Sequence, residues 1–110
     1  MCGRYAASTS QADLIEELDI ELDATAEPGR SLLVNPQTPP AGTPDWNMAP
    51  TKRAPVVLTR APRGAGEDEP AARQLRLLSW GLVPSWAKDT KTGLRMINAR
   101  AESVLEKSSY

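Results

Sequence analysis

The 110-residue sequence predicts an α+β fold, mostly β, with one or two peripheral helices. Three observations predict it. Two β-patterned runs, at residues 55–60 and 73–80, flank a tip rich in turn residues. An apolar stripe at helical spacing stands near the N-terminus, at Leu14, Ile15 and Leu18. Residues 23–45 are broken by proline and glycine into a long loop.

The elements follow in order. Residues 2–7 read as a short strand or extended entry. Ser8-Thr9-Ser10 starts a helix, with Ser10 as N-cap and Asp13 at the third helical position. That helix should end near Asp19 or Glu21, with its acids facing solvent. The loop at 23–45 contains Glu27-Pro28-Gly29-Arg30, Asn35-Pro36 and Thr38-Pro39-Pro40. Its length is unusual for a small domain and marks it as an insertion or a lid. Pro55 to Arg60 reads as a strand, residues 61–70 as a hairpin tip, and Arg73 to Trp80 as the returning strand, with Leu75 and Leu77 on one face. Gly81-Leu82-Val83-Pro84 interrupts the pattern. Leu94 to Ile97 reads as a short strand and Ala101 to Lys107 as the start of a second helix. No internal repeat or heptad is present.

Composition narrows the function classes. The chain is 40% apolar and 25% charged, ordinary for a globular protein, and its length allows one domain or less. Three Trp, two Tyr and no Phe make a thin aromatic core. No apolar run approaches the roughly 18 residues of a membrane span, and the N-terminus lacks a signal-peptide pattern. A single cysteine excludes an internal disulfide and fits a reducing, cytoplasmic location. With no histidine, a zinc site of ordinary ligands, a Cys-His dyad and a Ser-His-Asp triad cannot be assembled from these residues. Neither metal nor cofactor is therefore expected. Residues 1–27 carry one cation and seven anions, while residues 28–110 carry twelve cations and seven anions. That basic majority, with Trp interspersed, permits contact with phosphates and bases, and equally suits a merely solvated surface.

The chemistry-bearing residue is Cys2. Met1 precedes a small side chain, the context in which an initiator methionine is commonly removed. Removal leaves an α-amine beside the thiol of the same residue. Free α-amines titrate near 8 and free thiols near about 8.5, so both offer some reactive form near neutrality. An aldehyde meeting the pair forms an imine with the amine, and the sulfur then closes a five-membered thiazolidine ring.

Four short stretches stand out together: Met1-Cys2-Gly3-Arg4-Tyr5, Trp46-Asn47-Met48-Ala49-Pro50-Thr51, Trp80-Gly81-Leu82-Val83-Pro84-Ser85-Trp86 and Ile97-Asn98-Ala99-Arg100-Ala101-Glu102. In this order they resemble the SRAP family, the SOS-response-associated peptidases that process abasic sites in DNA. The resemblance spans the whole chain. It implies the N-terminal half of an open or barrel-like β domain. It also implies a covalent crosslink to abasic sites in single-stranded DNA, made by the mature N-terminal cysteine during the DNA damage response. In a bacterial setting the protein would join the nucleoid when DNA is damaged. Cys2 takes the nucleophile's position, and Asn98 that of the active-site asparagine that orients the reacting groups. Arg4 and Arg100 match arginines that contact phosphates, contacts that position a strand without reading its bases. Asn47 and Pro50 match the loop beside the site. Trp80 and Trp86 lie in a segment suited to packing under the cysteine or to base stacking. Each position also has a plainer role: Asn98 as a turn residue, Arg100 paired with Glu102, Trp80 as packing, and Asn47 as a loop anchor.

The sequence also departs from the family pattern. The family domain is about twice this length, and its second half carries a glutamate and a histidine segment absent here. Residues 1–110 therefore read as a partial domain with exposed strand edges, open to self-association. Two alternatives stand beside the crosslinking protein. One is an N-terminal-nucleophile peptidase acting mainly on its own Met1; the other is a non-catalytic remnant.

Overall fold

The computed structural model describes residues 2–33 and 35–110. Its elements are β1 (Tyr5–Ala7), α1 (Gln11–Glu17), β2 (Leu22–Asp23), β3 (Asp45–Met48), β4 (Arg53–Arg60), β5 (Ala72–Ser79) and a 3-10 helix (Thr90–Leu94). The fold is α+β and mostly β, as the sequence pattern predicts. β1 pairs antiparallel with β3, and a second sheet has the order β2-β5-β4. Both sheets are open, and the described strands close no barrel.

α1 starts where its cap dictates. Ser10 is extended (φ −67, ψ 158), and its hydroxyl accepts a hydrogen bond from the Asp13 amide at 3.2 Å. This satisfies one of the amides that a helix start leaves without an internal partner. The helix ends at Glu17, and Asp19 then takes a left-handed conformation (φ 49) that turns the chain into β2. There the Arg73 amide meets the Glu21 carboxylate at 2.6 Å, and β2 joins β5 in parallel.

β5 is the centre of the molecule. It lies between β2 and β4, so four consecutive side chains, Gln74, Arg76, Leu75 and Leu77, are buried across its two faces. Burying a leucine side chain fully is worth about 2 kcal/mol. The polar pair needs partners instead. Gln74 donates to the Arg60 carbonyl at 2.7 Å and accepts from Arg76 Nε at 3.0 Å. Arg76 in turn meets Glu27 at 2.9 Å. Pro55 sits in β4, an edge strand, where a missing N–H is tolerated.

Four sequence expectations change. β2 and β3 form within stretches not read as strands. Leu94 to Ile97 is not a strand: Asp89 accepts from the Lys91 amide at 2.8 Å and caps the 3-10 helix that runs through Leu94. The short apolar run carried no signal to separate the two outcomes. Residues 101–107 form turns rather than a second α-helix. Val104 bonds to the Arg100 carbonyl at 3.0 Å, but Leu105 is 97% exposed, and a single turn without a packed apolar face does not propagate.

Candidate active site

The site is built around the pairing of β1 with β3. Tyr5 opposes Met48 and Ala7 opposes Asp45. Between these pairs β1 advances two residues and β3 three, so β3 carries a bulge at Trp46 and Asn47. The bulge breaks the usual alternation: Asp45 and Met48 are buried, while Trp46 and Asn47 are both exposed. Asn47 Oδ1 accepts a hydrogen bond from Arg4 Nη1 at 3.1 Å, which ties the first motif to the second.

β5 delivers the third motif. Trp80 follows its last residue, and the backbone of Trp80 holds the turn after β3 from both sides. Thr51 donates to the Trp80 carbonyl at 2.9 Å, and the Trp80 amide donates to the Lys52 carbonyl at 3.0 Å. Thr51, a β-branched residue, is held in a left-handed conformation (φ 77). The indole and the Tyr5 ring pack edge to face, with centroids 5.5 Å apart and planes at 64°. The indole Nε1 donates to the Ile97 carbonyl at 2.9 Å. Gly81 (φ 148) packs directly on the Gly93 backbone, where a Cβ would collide with the Gly93 carbonyl. Leu82 then donates to the Met96 carbonyl at 2.9 Å. These contacts fix the chain that leads to Asn98.

Asn98 completes the cluster. Its Nδ2 donates to the Cys2 carbonyl at 3.1 Å, across 96 positions of sequence. The Tyr110 hydroxyl donates to the Asn98 carbonyl at 3.2 Å. Cys2 is a free, exposed thiol. Met1, whose removal the sequence reading requires, lies outside the described residues. Folding thus brings together Cys2, Arg4, Asn47, Trp80 and Asn98, and Pro50 lies half-buried in the turn beside them. Trp80 packs against Tyr5 and Ile97. Trp86 stands apart, 60% exposed in a turn after Pro84. Arg100 is exposed and makes no ion pair with Glu102 among the described residues.

The sequence reading missed Asp45, Lys52 and Tyr110. Asp45 is buried and its carboxylate meets Lys52 Nζ at 2.7 Å. The hydrogen bond from Lys52 holds the Asp45 carboxyl below the usual carboxylate range, against the opposing effect of desolvation. Partial burial, and then the Asp45 charge, push the Tyr5 hydroxyl above its ordinary value. Neither a lone acid before Trp46 nor a lysine in a turn is distinctive locally; only the fold pairs them. A concavity of about 440 Å³ is lined by Asp89, Lys91, Thr92, Leu94 and Arg95. It contains no residue of the four motifs and no thiol, so the Cys2 cluster is the better candidate on chemistry.

An exposed cysteine just before a short strand, held to an Asn-Ala-Arg segment beside a packed tryptophan, marks the class. The chain belongs to the SOS response associated peptidase (SRAP) family, whose model matches residues 1–110. It is 32% identical over 112 residues to the abasic site processing protein YoaM of Bacillus subtilis (strain 168), covering 100% of this chain and 39% of that protein. It is 33% identical to YoqW of the same organism with the same coverage. It is 30% identical over 113 residues to the abasic site processing protein HMCES of Rattus norvegicus, covering 100% of this chain and 31% of that one. The chain therefore spans about two fifths of the length of the Bacillus relatives. No solved structure matches it.

Proposed function

We propose that this chain processes abasic sites: it binds single-stranded DNA and traps the lesion as a covalent thiazolidine through Cys2 once Met1 is removed. The observation that carries the reading is the Asn98–Cys2 hydrogen bond, which joins the first and last motifs at the only cysteine of the sequence. The names of the relatives support it.

The chemistry follows from the aminothiol. A ring-opened abasic sugar presents an aldehyde at C1′. The α-amine of Cys2 adds to that carbon, and loss of one water gives an imine. The sulfur then adds to the imine carbon, the thiol proton passes to nitrogen, and the ring closes. Asn98 holds the Cys2 carbonyl and so limits rotation of the residue that carries both nucleophiles. Arg4, aimed by Asn47, offers a guanidinium to a neighbouring phosphate, and Arg100, exposed, offers another. Trp46 and Trp86 present exposed indoles of the kind on which bases stack.

Residues 1–110 contain no histidine, so these residues supply no imidazole for proton transfer. General acid–base assistance is typically worth about 10²–10⁴ in rate. Crosslinking by these residues alone is accordingly expected to be slow, and to quicken when a relative's remaining segment is joined to them. The test is a denaturing gel after heating with an abasic single-stranded oligonucleotide. Wild type gives a shifted band, and Cys2→Ser, which retains an amine but cannot close the ring through sulfur, gives little. Equal heat-stable bands from both would contradict the assignment.

A further inference from the structure

We infer that the buried Asp45–Lys52 ion pair is a positioning device that sets the direction of Arg4 beside Cys2. The inference rests on the proposed phosphate role of Arg4. In a two-stranded sheet each strand keeps one open edge, and at Asn47 the ion pair occupies both backbone groups. Asp45 Oδ1 accepts from the Asn47 amide at 2.8 Å, and Lys52 Nζ donates to the Asn47 carbonyl at 3.2 Å. Asp45 Oδ2 and Lys52 Nζ close the loop between them at 2.7 Å. The Asn47 backbone is thereby held at the bulge, where strand pairing alone leaves it loose. Its side chain is then free to do one thing: accept from Arg4 Nη1 at 3.1 Å.

Burial gives the pair its leverage. The Asp45 side chain is 3% exposed and that of Lys52 17%, so little water competes for either charge. Arg4 and Asn47 are exposed, and an exposed arginine without such a partner samples many rotamers. The chain of contacts runs from a part-buried ion pair, through a backbone, to a surface cation two residues from Cys2. Asp45 and Lys52 touch no substrate; they act through Asn47.

The test uses the full chain and the double variant Asp45→Leu with Lys52→Met, which removes both contacts to the Asn47 backbone and both charges without leaving one buried alone. Asp45→Ala with Lys52→Met serves if that variant does not fold. The first readout is the Arg4 guanidinium NMR signal of the free protein. The wild type should show slowed guanidinium rotation, and the variant should lose it while remaining folded. The second readout is affinity for an intact single-stranded oligonucleotide. It should weaken between about twofold and tenfold, the range one net hydrogen bond spans. In an Arg4→Ala background the same substitutions should produce no further loss. An unchanged Arg4 signal in a folded variant, or losses that multiply with Arg4→Ala, would overturn the inference. If wild type bound no single-stranded DNA, the functional reading would fail, while the Arg4 signal would still decide this one.

Discussion

Asp45 shows how one side chain carries charge, structure and pH dependence together. Its pKa is lowered on folding, chiefly by the Lys52 hydrogen bond. The deprotonated form is therefore favoured in the folded state. The resulting stability is fully present above the unfolded value of about 4 and is lost as pH falls through the lower folded value. Asp45→Asn should lower stability at neutral pH and flatten the acid limb of the stability profile below about pH 4. Thermal unfolding across that range checks it; an unaltered acid limb would place the dependence on other carboxylates. Arg100 carries a different prediction. It is exposed and unpaired with Glu102 among the described residues, so its cation is available to a phosphate. Arg100→Ala should weaken binding to intact and abasic strands alike and reduce the salt slope by about one. An unchanged slope would return Arg100 to a structural role.

Ser10 illustrates what an element shows in its own sequence. The N-cap, the Asp13 amide bond and the start of α1 were legible because capping is a local interaction. Ser10→Ala should cost about 1 kcal/mol, read from denaturant unfolding. β4 and β5 were legible for the same reason: alternating runs on either side of a turn-rich tip. β3 was not, because its bulge exposes two neighbours in a row and erases the alternation that marks a strand. β2 was hidden because two residues show no period, and its partner β5 lies some fifty positions away. The motif residues Cys2, Arg4, Asn47, Trp80 and Asn98 were legible as motifs, but the bonds that unite them are long-range and appear only after folding. Gly81 tests that long-range assembly. Gly81→Ala would set a Cβ against the Gly93 carbonyl and strain a backbone with φ 148. The expected outcome is a displaced 93–98 segment, a weakened Asn98–Cys2 bond and a crosslinking rate lowered more than DNA affinity. Equal losses in both would show that Gly81 supports the whole domain rather than the site.

At the scale of the molecule, little apolar surface is hidden. The accessible surface is 7820 Å², against about 5,900 Å² for a compact monomer of this mass. The radius of gyration is 15.0 Å, against about 13 Å for a domain of this length. Among the described residues the buried hydrophobic side chains are few: Ala24, Met48, Ala54, Leu75 and Leu77. β4 presents an eight-residue open edge, with Val57 38% exposed on the strand. Residues 1–110 alone should therefore unfold at low temperature or self-associate through that edge, measurable by thermal unfolding and sedimentation. A monomer with a sharp, high transition would show that these residues form a sufficient core.

The most direct test of the account is the intact mass of the product formed with an abasic single-stranded oligonucleotide. The chain lacking Met1 should give a heat-stable adduct equal to the sum of protein and DNA less one water, the mass that imine formation sets and that ring closure leaves unchanged. A chain with any residue retained before Cys2 has the Cys2 amine in a peptide bond; an imine on its new α-amine has no thiol on the same residue to close on it, so no heat-stable adduct should form. A heat-stable adduct at protein plus DNA less one water from both chains, or none from the chain beginning at Cys2, would contradict a thiazolidine formed through the amine and thiol of that residue.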